Sequence, residues 1–322
     1  MADGLDLYAI AEALRGSEEF SNKRRIPSVA GMFAALGQAF GFRNGDDAAL
    51  IPRNGEFLLL ACEGIRADLV REDPYLAGRC AVQANVNDIY AMGGYPLALV
   101  DAVGAPEEEV VRRISLGMRD NAARYRVPVV GGHLLLTRED YSVSLAVLGR
   151  AARCISSFDA RPEDRLLLVR RDNGIRVEGR RFWNCTLPED DASLLSNLEL
   201  LPRCAESGLV KAGKDVSMSG IAGTSLMLAE GSGIGLSLFL DEIAVPAAFT
   251  LSEWLLAFHS YGFLLAVAPG KLDRVRDLFS GRGLRAAVIG EFCEDRRVWL
   301  CSGRERSLLW DLSLEPFAGA GG

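Results

Sequence analysis

The alternation of apolar and polar positions breaks the chain into short helical and extended segments along its whole length. Helical spacing predicts a first helix over 8–14 and a second over 29–40, closed by Gly41. Residues 48–51 and 57–61 read as strands across the turn Pro52-Arg-Asn-Gly55. A long helix follows over 74–92, stopped by Gly93-Gly94. A strand over 97–103 leads to an amphipathic helix over 107–125, with Val110, Ile114, Gly117, Asn121 and Tyr125 along one side. Strands at 127–130 and 141–148 complete this half. After a polar junction at 156–164, the second half opens with a strand over 165–169. It continues with helices over 190–207 and 219–230 and a strand over 235–240. A strand at 262–267, a helix at 271–278 and strands near 286–289 and 298–301 follow. The Gly-rich 318–322 reads as a frayed end. The segment 171–188, polar and holding Trp183, fits no period.

This rhythm of strands and helices makes the chain α/β and α+β, not all-α. Its 322 residues suit two domains, taken as 1–155 and 156–322. With 49% hydrophobic residues, each half can bury a core. A net charge of −7 argues against a general nucleic-acid binder, although local amides and metal ions can still bind phosphates. The seven cysteines form no CxxC pair and there are two histidines, which disfavours a zinc site. Without a charged start and apolar run, or a membrane-length apolar stretch, the expectation is a cytoplasmic chain with no membrane partner and reduced thiols.

Five places carry candidate chemistry. Gly45-Asp46-Asp47-Ala48-Ala49 precedes a strand, and adjacent carboxylates there point to different sides. Hard cations such as Mg²⁺ take oxygen ligands of this kind, and an ordinary turn is the alternative. Glu63 follows an apolar strand, where open α/β sheets place ligands, or it is a solvated strand end. On the third helix Val82, Val86 and Ile89 form one stripe, while Arg79, Gln83, Asn87 and Tyr90 fall on a polar face. Asp88 joins neither; it lies among Ala77, Ala81 and Ala84, with Asn85 beside it. A carboxylate away from solvent needs a metal or a basic partner. Gly131-Gly132-His133 ends a strand with paired glycines, open to an anion or simply a tight turn. Asp215-Val-Ser217-Met-Ser219-Gly220 opens a helix whose free N–H groups attract anions, unless Ser217 or Ser219 merely caps it. Gly220 and Gly223 weaken that first turn, which suggests close packing there.

Taken in order, Gly-Asp-Asp-Ala-Ala, an acid after an apolar strand, Asn85-x-x-Asp-Ile-x-Ala-Met-Gly-Gly-x-Pro96, Gly-Gly-His and Asp-Val-Ser-x-x-Gly-Ile-Ala-Gly resemble the aminoimidazole ribonucleotide (AIR) synthetase superfamily. That group includes thiamine-monophosphate kinase, selenophosphate synthetase and the hydrogenase-maturation carbamoyl dehydratase. The resemblance spans 45–291. It implies an N-terminal domain whose strands form a barrel across a homodimer, and a C-terminal α+β domain. It implies ATP with Mg²⁺ held by Asp46, Asp47, Glu63 and Asp88. Asn85, Gly131, Gly132, Asp215 and Gly220 would bind the cofactor. Asp46, Asp88 and His133 would take part in catalysis. Glu63 stands where many relatives have Asp, and His133 at a variable position.

The chemistry implied is ATP-driven phosphoryl transfer to a small molecule, activating a carbonyl or amide oxygen, which needs charge neutralisation and alignment more than a protein nucleophile. A plain small-molecule kinase and a non-catalytic nucleotide binder are the alternatives. Lys23 is present but the first cysteine is Cys62, which disfavours selenophosphate synthetase. The end in Gly321-Gly322 disfavours the hydrogenase-maturation enzyme, and Cys-Glu-Gly-Ile-Arg-Ala-Asp at 62–68 fits neither AIR synthetase nor thiamine-monophosphate kinase.

Overall fold

In the computed structural model, residues 5–187 and 190–319 are described; positions 188 and 320–322 of the expected irregular segments lie outside them. The chain begins with three helices, α1 (Leu7–Arg15), α2 (Glu18–Lys23) and α3 (Ile26–Ala39). A hairpin of β1 (Ala49–Arg53) and β2 (Glu56–Ile65) leads through α4 (Ala67–Glu72) to α5 (Pro74–Ala91). Then come β3 (Tyr95–Ala105), α6 (Glu108–Tyr125), β4 (Val129–Leu136) and β5 (Ser142–Ala151). The middle of the chain holds β6 (Arg165–Arg170), β7 (Ile175–Arg176), β8 (Phe182–Asn184), α7 (Asp191–Leu198) and α8 (Leu200–Glu206). It continues with β9 (Ala212–Asp215), α9 (Gly220–Ser232) and β10 (Gly235–Phe239). Last are α10 (Leu251–Leu256), β11 (Phe258–His259), β12 (Gly262–Val267), α11 (Leu272–Ser280), β13 (Arg285–Cys293), β14 (Arg297–Ser302) and β15 (Glu305–Asp311).

Contacts sort the chain into two units that do not follow sequence order. One takes 47–154 and 190–203; the other takes the described residues up to 46, those of 155–189 and those from 204 onward. In the first, the sheet order is β1-β2-β5-β3-β4. All pairings are antiparallel except β3 with β4, whose parallel pairing needs the α6 crossover. The hairpin turns at Asn54 and Gly55, both at positive φ (50° and 84°), the backbone a two-residue turn requires. Leu59, Leu99, Leu145 and Val147 are fully buried on the face that α5 covers. The other face carries Leu60, Val100 and Leu148 exposed, and the sheet is open: the chain by itself closes no barrel among its described residues.

The helix α5 corrects one expectation. Gln83, Asn87 and Tyr90, read as a polar outer face, are buried along with Asp88. Near the start of α5, the helix α6 crosses it closely. A Cβ on Gly78 would lie 2.1 Å from the Ile114 carbonyl, and one on Gly117 would lie 2.0 Å from that of Tyr75. Asn121 Nδ2 donates to the Arg79 carbonyl at 2.7 Å across the same contact. Further along, the single helix expected over 190–207 is two, α7 and α8. Pro202 has no N–H to give the Leu198 carbonyl, where α7 ends. Arg124 of α6 pairs with Asp191 at 2.6 Å, which attaches α7 to this unit.

In the second unit, seven strands run β15-β14-β10-β13-β6-β12-β9, beside a small sheet β11-β8-β7. The apolar α9 is buried from Gly220 to Gly231. The first helices belong here because their partners are at the other end of the chain. Arg15 Nη1 donates to the carbonyls of Leu308 (2.7 Å) and Leu309 (3.2 Å). Phe20 meets Phe317 edge-on at 4.9 Å. Glu230 in α9 accepts the backbone N–H groups of Phe317 (2.7 Å) and Ala318 (2.9 Å), which fixes the C-terminal segment. Trp183, unassigned by pattern, is buried in β8 and packs edge-on to Trp254 at 5.8 Å. Among the described residues no helix is long and apolar enough to cross a membrane.

Candidate metal-binding site

Asp46 and Asp47 lie in the bend that precedes β1 and meet different partners. Asp46 turns to the 156–157 backbone of its own unit. Its carboxylate accepts from Ser156 Oγ (2.6 Å), the Ser157 N–H (2.7 Å) and Ser157 Oγ (2.6 Å). Lys214 Nζ reaches the Gly45 carbonyl at 3.4 Å. These bonds hold the Gly45-Asp46 turn in place; the polar stretch read as a junction supplies the serines that do it.

Asp47 belongs to the first unit, as does α5. A carboxylate oxygen of Asp47 and one of Asp88 lie within 4.8 Å of each other. Asp88 is nearly fully buried, one turn after Asn85. Asn85 has its Nδ2 bonded to the Ala81 carbonyl at 2.9 Å, while its buried Oδ1 takes no hydrogen bond among the described residues. The donors are all oxygen, the set that a hard divalent cation prefers. On these two observations, the residues fit magnesium.

The remaining candidates are placed as follows. Glu63 does not end its strand: β2 runs on to Ile65, and Glu63 sits in a ladder row with Leu145, Asp101 and Gly132. Gly131, Gly132 and His133 likewise lie inside β4, not in a turn after it. β4 was expected to stop at 130, because the glycines read as a terminator; pairing with β3 carries it through to Leu136. Gly132 serves its neighbour, since a Cβ there would lie 2.4 Å from Asp101 Oδ1. Burial raises the Asp101 carboxyl pKa. His133 is exposed.

Asp215, in the second unit, is buried at the end of β9. The expected serine cap is absent: Ser219 is the N-cap of α9, at φ 131°, and its side chain makes no capping bond. Gly220 follows at φ 62°, where a Cβ would be 2.3 Å from the Leu255 carbonyl. Gly223 leaves room for the Ser219 side chain, whose Oγ would be 2.3 Å from a Cβ there. The glycines of this turn are therefore needed for packing against α10 and within the turn itself. Lys23 Nζ lies 3.5 Å from Ser217 Oγ in the same loop. Pattern reading could not find this contact, because α2 is too short to show a period.

Fold and acids together define a protein of two mixed α/β units, the first presenting an oxygen-only acidic pair at the start of its sheet. Comparison with known proteins makes the assignment specific. Residues 45–151 match the family model for the AIR synthase related protein N-terminal domain, and residues 161–300 match that for its C-terminal domain. The chain belongs to the AIR synthase-related family. An uncharacterized protein of Synechocystis sp. is 42% identical over 92% of both chains. Among solved structures, T. maritima PurL complexed with ATP has a TM-score of 0.74 at 16% identity, covering 98% of this chain and 53% of that one. The chain thus spans about half the length of PurL. AaThiL complexed with AMPPCP and TMP has a TM-score of 0.66 at 17% identity, covering 85% of this chain and 94% of that one. At such identities the likeness is one of fold.

Proposed function

We propose that this protein binds ATP with magnesium and transfers phosphate to, or activates, a carbonyl or amide oxygen of a small molecule. The observation that carries the reading is the Asp47–Asp88 pair, with oxygens within 4.8 Å and the orphaned Asn85 Oδ1 one turn away. Asp47 and Asp88 would hold the metal, with Asn85 as a further oxygen donor or through water. A magnesium ion held by them would supply charge neutralisation for a phosphoryl group. Asp46, occupied by Ser156 and Ser157, acts by holding the turn that presents Asp47. Glu63, Gly131, Gly132, Asp215 and Gly220 keep the nucleotide or metal roles that their motifs imply, and His133 a role toward the acceptor. The open apolar face of the five-stranded sheet supports a homodimer closed through that face. A small-molecule acceptor and a cytoplasmic location complete the reading.

Titration calorimetry tests it. The wild-type chain is expected to bind ATP only with magnesium, and Asp88→Asn to weaken this at least tenfold, about 1.4 kcal/mol. A wild-type chain with no affinity for magnesium and ATP overturns the reading. If binding is present, product analysis separates its forms. A stable phosphorylated product identifies a kinase, and phosphate release with a dehydrated or cyclised product identifies oxygen activation. No turnover with any acceptor leaves nucleotide binding alone.

A further inference from the structure

The helix α3 has no buried residue along its 14 positions. Over 26–42, seven large apolar side chains (Ile26, Val29, Met32, Phe33, Leu36, Phe40 and Phe42) are 37–79% exposed. An apolar helix this short is marginal in water without packing partners. Yet it is not loose. At its start Arg24 pairs with Glu315 and lies 5.3 Å over the Trp310 ring. Gly319 packs on Pro27, with a would-be Cβ 3.0 Å from Pro27 Cβ. Beyond its end Arg43 lies 3.9 Å over Phe158, and Asp46 is held by Ser156 and Ser157. The unit thus presents a helix fixed at both ends with its apolar side chains outward.

The spacing of those side chains shows what fits. Ile26, Val29, Phe33, Leu36 and Phe40 recur at steps of three, four, three and four, the seam by which two helices pack knobs into holes. Small residues beside the seam (Ala30, Ala34 and Gly37) let a second helix approach closely. We infer that α3 is a self-association surface, on which the α3 of a second copy packs along this seam about a twofold axis. A twofold pair needs one self-complementary patch, which a repeating apolar stripe supplies. At about 150–250 Å² for a large side chain, the exposed fractions of the five seam residues amount to on the order of 400–700 Å², to which Met32 beside the seam adds. A stable protein interface takes about 800 Å² from each partner. A lipid surface fits less well, because the nearby basic groups Lys23, Arg24 and Arg43 are engaged within the unit by Ser217, Glu315 and Phe158, and a single exposed arginine, Arg25, remains at the helix start. The inference is separate from the nucleotide chemistry and from the open sheet face.

Sedimentation equilibrium and cross-linking of the full chain test it. Phe33→Glu with Leu36→Glu is expected to weaken at least tenfold the association step that takes the chain beyond the sheet-face dimer, while the off-seam Gln38→Glu leaves it unchanged. In a Cys62→Ser background, Leu36→Cys is expected to form chain-to-chain disulfides on mild oxidation, and Gln38→Cys far fewer. This second readout holds even if the double variant unfolds. A strictly monomeric wild type at tens of micromolar overturns the inference, as do equal cross-linking at 36 and 38 or unchanged association of a folded double variant. Recovery of monomeric wild type, but not the variant, on phosphatidylserine–phosphatidylcholine vesicles overturns it in favour of lipid.

Discussion

At the scale of residues, burial decides which polar groups matter. His259 is fully buried, stacked on Trp254 at 4.3 Å, and neither ring nitrogen has a hydrogen-bond partner among the described residues. Burial first, and then the nearby Arg170, push its pKa well below the usual value. A base whose folded pKa is depressed binds its proton more readily when unfolded. Its neutral form therefore costs the fold nothing above the unfolded value of about 6.5, and stability falls as pH drops below it. His259→Phe, which keeps the stacking, is expected to flatten the loss of urea stability between pH 7.5 and 5; an unaltered slope would exclude this histidine as its source. Gly220 gives a second prediction. Its φ of 62° and the Leu255 carbonyl 2.3 Å from any Cβ mean that Gly220→Ala should cost about 1–3 kcal/mol or more in denaturant unfolding.

Elements show where periodicity succeeds and where it misleads. The bounds of α5, α6 and β12 were readable because each is long or strongly apolar. The surroundings of α5 were not, since no pattern within one helix records the elements that pack around it. Gly117→Ala places a methyl carbon against the Tyr75 carbonyl, so α5 and α6 must separate, at about 1–3 kcal/mol. Because α5 carries Asp88, the same variant should weaken magnesium–ATP binding; undiminished affinity in a destabilised variant would show that the acid is positioned by the sheet alone. Short elements such as α2, β9 and β15 escaped pattern reading because fewer than two helical turns, or a half-polar strand, give no period to detect.

For the whole molecule, ligand linkage offers a direct measurement. Anything that binds only the folded chain stabilises it, by about 2.7 kcal/mol at a hundredfold excess over Kd. ATP with magnesium is expected to raise the unfolding temperature, and ATP with a chelator is not. Equal effects with and without the metal would remove the Asp47–Asp88 pair from nucleotide binding.

The sequence by itself determined the fold family and the order of the acids, because local propensity and motif spacing survive without knowledge of contacts. It located Asp88 on the inner side of a helix by period alone. Tertiary structure decided what each acid meets. Asp46 and Asp47 are neighbours in the chain, yet one is bound by serines about 110 residues away and the other stands by Asp88. It also decided that the first helices pack with the last strands, and that α3 remains uncovered. Each is a matter of which distant groups meet, and no single segment encodes its own partners.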